Sequence, residues 1–154
     1  MTSKDLIKLG FQKAADIFIR NGVPDAIFNE FGKQHAPGVY CWVEKSSNST
    51  ENVIYVGMYG QSIRKRFGEH RRGFQGGSGS GLKNAKYICE SIDRLSVISI
   101  YGKPSDVRKV YYENLLGVDM ERDITFQDQD EKDMLAYYVE KEGKLPELNR
   151  TKGG

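Results

Sequence analysis

Apolar residues recur at helical spacing over the N-terminal part of the chain. A helix is predicted from a cap at Thr2 or Ser3 to a stop at Asn21-Gly22. Its apolar side is formed by Leu6, Leu9, Ala14, Ile17 and Phe18. Pro24 fits the first turn of a second, shorter helix. The pattern therefore predicts a helical extension over residues 1–34.

A run of β-forming residues begins after the break at Ala36-Pro37-Gly38. Residues 39–43 and 53–56 predict the two strands of a hairpin, which a polar turn over residues 45–52 would join. Residues 95–101 predict a third strand. Because strands that follow one another along a chain usually pair, we expect one small, mostly antiparallel sheet.

The remaining segments predict helices that flank this sheet. Ser62 can cap a basic helix that runs to about Arg72. The other predicted segments are a Gly/Ser-rich loop at 73–81, helices at 83–93, 107–116 and 131–142, and an acidic loop at 119–130. The expected fold class is α+β, with a three-stranded sheet flanked by helices. Residues 35–154 would form this domain, and the extension would pack against it as one unit.

The charges are distributed unevenly. The chain has 154 residues, which suits one domain. Its formal net charge is +2, which by itself is no evidence for a nucleic-acid partner. Residues 119–142 are rich in acids, whereas residues 64–86 are basic. The candidate DNA-binding cations there are Arg64, Lys65, Arg71, Arg72, Lys83 and Lys86. They predict a face that contacts phosphates; the alternative is a solvated helix whose charges the acidic segment balances.

Several classes of protein are disfavoured by composition. The two cysteines, Cys41 and Cys89, are too few for a disulfide framework and lack zinc-ligand spacing. The N-terminus has no signal-peptide pattern, and no apolar run approaches the roughly 20 residues that cross a bilayer. We expect a cytoplasmic protein that does not contact membranes.

Four short motifs carry the candidate chemistry. Gly38-Val39-Tyr40 opens the first strand of the hairpin, and Tyr55-Val56-Gly57 closes the second. The basic helix contains Arg66 and His70, and Pro146-Glu147-Leu148-Asn149 lies near the end of the chain. In this order the motifs resemble those of the GIY-YIG nuclease family over most of the chain, from residue 37 to residue 149. Taken singly, each residue has an ordinary structural explanation.

Simple geometry supports this grouping. Adjacent antiparallel strands make Tyr40 and Tyr55 neighbours if their side chains face the same side. Arg66 and His70 are four residues apart, so they share one face of a helix. Hydrolysis of a phosphodiester needs a nucleophilic water, neutralisation of charge on the phosphate and help for the leaving oxygen. We expect the four side chains to surround the reacting phosphate.

The resemblance implies a divalent-metal-dependent endonuclease that acts on DNA with Mg²⁺ or Mn²⁺. In such a site Tyr40 would be the general base, assisted by Tyr55. Arg66 would hold the phosphate, His70 would bond to a phosphate or a tyrosine, and Asn149 would orient groups nearby. A homodimer is also expected, since two chains with one site each can cut both strands.

One element of the family pattern is absent from its expected place. The resemblance implies a metal-binding Glu about a dozen to fifteen positions before Asn149, at residues 134–137, where Ala136 is the simplest equivalent. Three explanations remain open. The acid is replaced by an inactivating change at Ala136, or it is supplied by Glu140 or Glu113, or catalysis is lost and a nucleic-acid-binding module remains. That module, or a domain that binds only proteins, is the alternative function.

Overall fold

The computed structural model describes residues 1–150 and contains five α-helices and seven strands. The helices are α1 (Ser3–Lys8), α2 (Glu30–Lys33), α3 (Ile63–Arg72), α4 (Gly79–Asp93) and α5 (Gln127–Glu142). The strands are β1 (Gln12–Arg20), β2 (Val23–Phe28), β3 (Gly38–Lys45), β4 (Glu51–Tyr59), β5 (Val97–Pro104), β6 (Val107–Glu113) and β7 (Asp119–Thr125). The predicted α+β class is confirmed.

The main sheet has five strands rather than the three predicted. Its order is β2-β1-β5-β3-β4, and every neighbouring pair is antiparallel. The β3–β4 hairpin and β5 match the three predicted strands, and they place β4 at an edge. Strands β6 and β7 form a separate two-stranded sheet.

The predicted N-terminal helical extension is wrong beyond its first turns. Thr2 does cap α1. Its hydroxyl accepts a hydrogen bond from the N–H of Asp5, and the Asp5 carboxylate accepts one from the N–H of Thr2. The chain then enters β1, and β1 pairs with β5 in the main sheet. Asn21 and Gly22, expected to end a helix, have φ of 52° and 77°. A type I′ turn, which commonly joins two antiparallel β-strands, requires positive φ at both of its central residues.

Two predictions in the C-terminal half are also wrong. The helix expected at 107–116 is strand β6, and the first part of the acidic loop is strand β7. Asn114 closes the turn between them by accepting hydrogen bonds from the N–H groups of Leu116 and Val118. The loop predicted at 73–81 is also wrong: Gly73–Gly77 form a π-helical turn with positive φ at Gly76, and Ser78 caps α4, which begins at Gly79.

The main sheet separates two apolar clusters. Alternate residues of β3 face opposite sides: Tyr40 and Trp42 pack towards α3 and α4, and Val39 and Cys41 pack towards α1 and α5. Strands β1 and β2 belong to the same sheet, so residues 1–34 and the rest of the described chain share these cores. The last four residues of the predicted 35–154 domain lie outside the described part. Among residues 1–150, no helix combines the length and apolar character needed to span a bilayer.

Candidate active site

The two tyrosines of the hairpin motifs lie diagonally across β3 and β4. Tyr40 is opposite Gly57, and Trp42 is opposite Tyr55. The rings of Tyr40 and Tyr55 are 5.9 Å apart on the same side of the sheet. A Cβ atom at Gly57 would stand 2.5 Å from the Tyr40 hydroxyl, a distance that no packed atom tolerates. The glycine after the second tyrosine therefore makes room for the first.

Helix α3 brings His70 against both tyrosines. Ser62 caps this helix as predicted, accepting a hydrogen bond of 3.0 Å from the N–H of Lys65. Nε2 of His70 is hydrogen-bonded to the Tyr40 hydroxyl. The imidazole centroid lies 5.5 Å from that of Tyr55 and 5.0 Å from that of Trp42. His70 is thus held in an aromatic cluster with its Nε2 directed at Tyr40.

This environment makes both partners of the hydrogen bond neutral. Burial, reinforced by the charge of Arg66, lowers the pKa of His70 to about 4. Burial also raises the pKa of Tyr40 well above its ordinary value, so the phenol keeps its proton. The Tyr40 hydroxyl can therefore donate its proton to a neutral Nε2 acceptor.

The guanidinium of Arg66 faces the same space. Burial raises the pKa of Tyr55 as well, and the positive charge of Arg66 opposes the rise at both phenols. Nη1 of Arg66 is paired with Glu69, three residues along α3. The Nε atom is buried and has no hydrogen-bond partner among the described residues. The side chain as a whole is 38% exposed, and its guanidinium has five N–H donors, so donors on the exposed part remain for a ligand.

A pocket of about 190 Å³ opens beside Tyr55 at the β4 edge. Its walls are Tyr55, Val56, Ser80, Asn84, Glu131, Leu148, Asn149 and Arg150. Glu131 lies in α5 and is 7% exposed, and its charge adds to the burial that raises the pKa of Tyr55. A carboxylate and a phenol thus line this pocket, and the charge of Arg66, which lies outside the pocket, acts on the same phenol.

The acid expected at residues 134–137 is absent there, and the carboxylate that lines this pocket is that of Glu131. Ala136, Glu140 and Glu113 are exposed and line no part of this pocket. Helix α5 ends at Glu142 as predicted and begins earlier than predicted, at Gln127. Glu131 lies 18 positions before Asn149, outside the expected spacing of about a dozen to fifteen, so the spacing did not single it out.

Asn149 is positioned by the backbone of β4. Its Oδ1 accepts a 2.8 Å hydrogen bond from the N–H of Val56, and its Nδ2 donates a 2.8 Å bond to the carbonyl of the same residue. The N–H of Leu148 donates to the carbonyl of Ile54 at 2.8 Å. The motif that contains Asn149 therefore fastens the C-terminal segment to the strand that carries Tyr55.

The six candidate DNA-binding cations are all exposed on α3 and α4. Two of them have partners within the chain: Lys65 donates to Gln61 at 2.6 Å, and Arg71 pairs with Asp25 at 3.3 Å. Arg64 and Arg72 have no ion-pair partner among residues 1–150, and Lys86 is 4.0 Å from Glu90. Their role in binding DNA stays a prediction.

Comparisons with known proteins place the fold. No family model and no curated protein matches the chain. A solved structure of a Glu-to-Ala mutant of bacteriophage T4 EndoII is similar over 97% of this chain and 98% of that one, with a TM-score of 0.66 and 14% identity. The restriction endonuclease HPY188I in complex with product DNA is similar over 95% and 84%, with a TM-score of 0.48 and 15% identity. The similarity to the EndoII structure shows that the chain has a nuclease-like fold.

Proposed function

We propose that the protein is a divalent-metal-dependent DNA endonuclease of the GIY-YIG type. The observation that supports this proposal is the convergence of Tyr40, Tyr55, Arg66 and His70 beside a pocket that contains the buried carboxylate of Glu131. The first four belong to motifs whose order along the chain matches the family. DNA is the proposed partner, and a homodimer would supply one site for each strand.

Arg66 is the proposed phosphate ligand. Its guanidinium carries a permanent positive charge, lies beside both phenols and is 38% exposed, so a ligand can reach it. Guanidinium groups bind phosphate oxygens with parallel hydrogen bonds. A phosphodiester at this position would gain neutralisation of its negative charge.

Tyr40 and His70 form the proposed proton relay. A water molecule that attacks the phosphorus can give a proton to the Tyr40 hydroxyl oxygen while the phenolic proton passes to Nε2 of His70. The new P–O bond forms as the bond to the leaving oxygen breaks, and the leaving oxygen takes a proton from solvent. Because the pKa of His70 is lowered to about 4, its Nε2 is unprotonated at physiological pH and can act as the acceptor in this relay.

Glu131 is the proposed protein ligand of the metal. Mg²⁺ prefers oxygen ligands and is commonly held by one or two carboxylates, several waters and the phosphates of a substrate. Residues 1–150 contain no group of three or more acidic, His or Cys side chains that could hold an ion alone. A single carboxylate beside a phosphate site fits this cation. When bound, the metal would stabilise negative charge on the phosphate and the leaving oxygen.

The function is tested by removing one hydroxyl. Tyr40→Phe deletes the relay and keeps the ring, and Tyr137→Phe makes the same change at an exposed residue of α5. With Mg²⁺ or Mn²⁺, we expect wild type and Tyr137→Phe to nick supercoiled plasmid and Tyr40→Phe to be slower by about 100-fold or more. Equal rates for all three would contradict the proposal. Binding without nicking by wild type would instead indicate a nucleic-acid-binding module.

A further inference from the structure

Four polar residues form a stripe along one face of α4. Two of them bond to Glu44, and the other two line the pocket. Tyr87 and Ser91 lie on this stripe, and both hydroxyls are hydrogen-bonded to the carboxylate of Glu44, that of Tyr87 at 2.9 Å. Ser80 and Asn84 continue the same stripe towards the start of the helix, because residues three, four and seven positions apart share a face. Both line the pocket beside Tyr55 and Glu131.

Ser80 and Asn84 are partly buried but unused by the fold. Neither side chain makes a hydrogen bond to any other residue in the described part of the chain, in contrast to the two residues that bond to Glu44. An asparagine inside a helix also lowers helix stability relative to alanine. The amide of Asn84 therefore makes no hydrogen bond that would offset its cost to the stability of the helix.

Asn84 lines the pocket with an amide that no other described residue engages. Both polar atoms of the Asn149 side chain are engaged by the backbone of Val56. Among the residues that line the pocket, the uncharged side chains left with hydrogen-bonding capacity are those of Ser80 and Asn84, together with the phenol of Tyr55. A ligand in this pocket would meet the α4 pair directly.

We propose that Asn84 and Ser80 are direct contacts to the DNA backbone at the scissile phosphate. This rests on the proposed function, which puts a phosphodiester between Arg66 and Glu131. Protein hydrogen bonds to DNA go mainly to phosphate and sugar oxygens, and Ser and Asn side chains are common donors. An uncharged donor suits this position, since it binds a phosphate oxygen and forms no ion pair with the nearby carboxylate.

The sharpest test changes the charge and keeps the shape. Asn84→Asp removes the amide donor and adds a negative charge that repels phosphate. Asn48→Asp is the matched control: Asn48 lies in the β3–β4 turn, and its Oδ1 accepts from Ser46 and Thr50, bonds that an aspartate retains. The measurement is the Kd for a fluorescent DNA duplex in EDTA, which prevents cleavage. We expect binding to weaken about tenfold or more for Asn84→Asp and less than about twofold for the control.

The result is separable from the nuclease proposal. Asn84→Ala should bind DNA about fivefold more weakly without lowering the thermal unfolding midpoint, since alanine is the better helix former. If both Asn84 variants bind DNA within about twofold of wild type, the contact is wrong even when plasmid is nicked. If they bind weakly while wild type cuts nothing in Mg²⁺ or Mn²⁺, the contact holds and the nuclease proposal falls. A wild type that binds no DNA overturns both.

Discussion

The hydroxyl of Tyr40 on β3 is hydrogen-bonded to Nε2 of His70, thirty residues later on α3. This contact joins two motifs that are separate in the sequence and connects the general base of the proposed reaction to a proton acceptor. It also couples the chemistry of the site to the stability of the core, because both rings belong to one aromatic cluster.

Protonation of His70 should be visible in the fluorescence of Trp42. The chain has one tryptophan, and its ring centroid lies 5.0 Å from that of His70. Because imidazolium quenches tryptophan and the pKa of His70 is lowered to about 4, emission should fall on acidification with a midpoint near that pH. His70→Gln should abolish the transition. A midpoint near the ordinary pKa, about 6.5, would contradict the buried, neutral imidazole.

The same pKa predicts how stability depends on pH. The unfolded chain protonates its histidines near pH 6.5, whereas folded His70 stays neutral down to about pH 4. Between these values the unfolded state binds more protons, so the free energy of unfolding falls as pH falls. Urea unfolding at pH 7 and pH 4.5 should show that wild type loses about 2 kcal/mol more than His70→Gln. Equal losses in the two proteins would exclude His70 as the cause.

Two glycines should respond in opposite directions to replacement by alanine. At Gly57 a Cβ would lie 2.5 Å from the Tyr40 hydroxyl, so Gly57→Ala must move the tyrosine and should cost about 1–3 kcal/mol of stability. At Gly68, inside α3, no atom lies within 4 Å of the added Cβ, and Gly68→Ala should stabilise by up to about 1 kcal/mol. Thermal unfolding checks both. Equal effects would show that the space around Tyr40 is not limited as described.

Asn149 should act on stability through Val56. Asn149→Ala removes two hydrogen bonds of 2.8 Å to one residue of β4, which predicts a loss of about 2 kcal/mol. Amide hydrogen exchange at Val56 should accelerate more than at Val53, whose N–H is bonded to the carbonyl of Met1. Unchanged exchange at Val56 would mean that the C-terminal segment is held by other contacts.

The sequence was sufficient for the part of the site that rests on short-range spacing. Arg66 and His70 share a helix face because they are four residues apart, and Tyr40 and Tyr55 meet because one hairpin joins their strands. The structure places all four together, and their catalytic roles stay predictions.

Longer-range relationships could not be deduced in the same way. Asn21-Gly22 can either end a helix or form the turn of a hairpin. The hairpin forms because β1 pairs with β5, which is far away in the sequence. Glu131 was not singled out because it lies 18 positions before Asn149, outside the expected spacing of about a dozen to fifteen, and its role at a metal stays a proposal. Ser80 and Asn84 carried no signal, since their segment resembled a flexible loop followed by an ordinary helix.

Two glutamates of α5 provide the most direct test of the central claim, that the pocket beside Tyr55 completes a metal-dependent nuclease site. Glu131→Gln and Glu140→Gln make the same change, one in the pocket and one on the exposed face. The measurement is the rate of plasmid nicking in Mg²⁺ and Mn²⁺, with DNA affinity determined in EDTA. We expect Glu131→Gln to lose at least about 100-fold in rate while it still binds DNA, and Glu140→Gln to cut like wild type. Full activity of Glu131→Gln, or loss of activity in Glu140→Gln alone, would contradict the central claim.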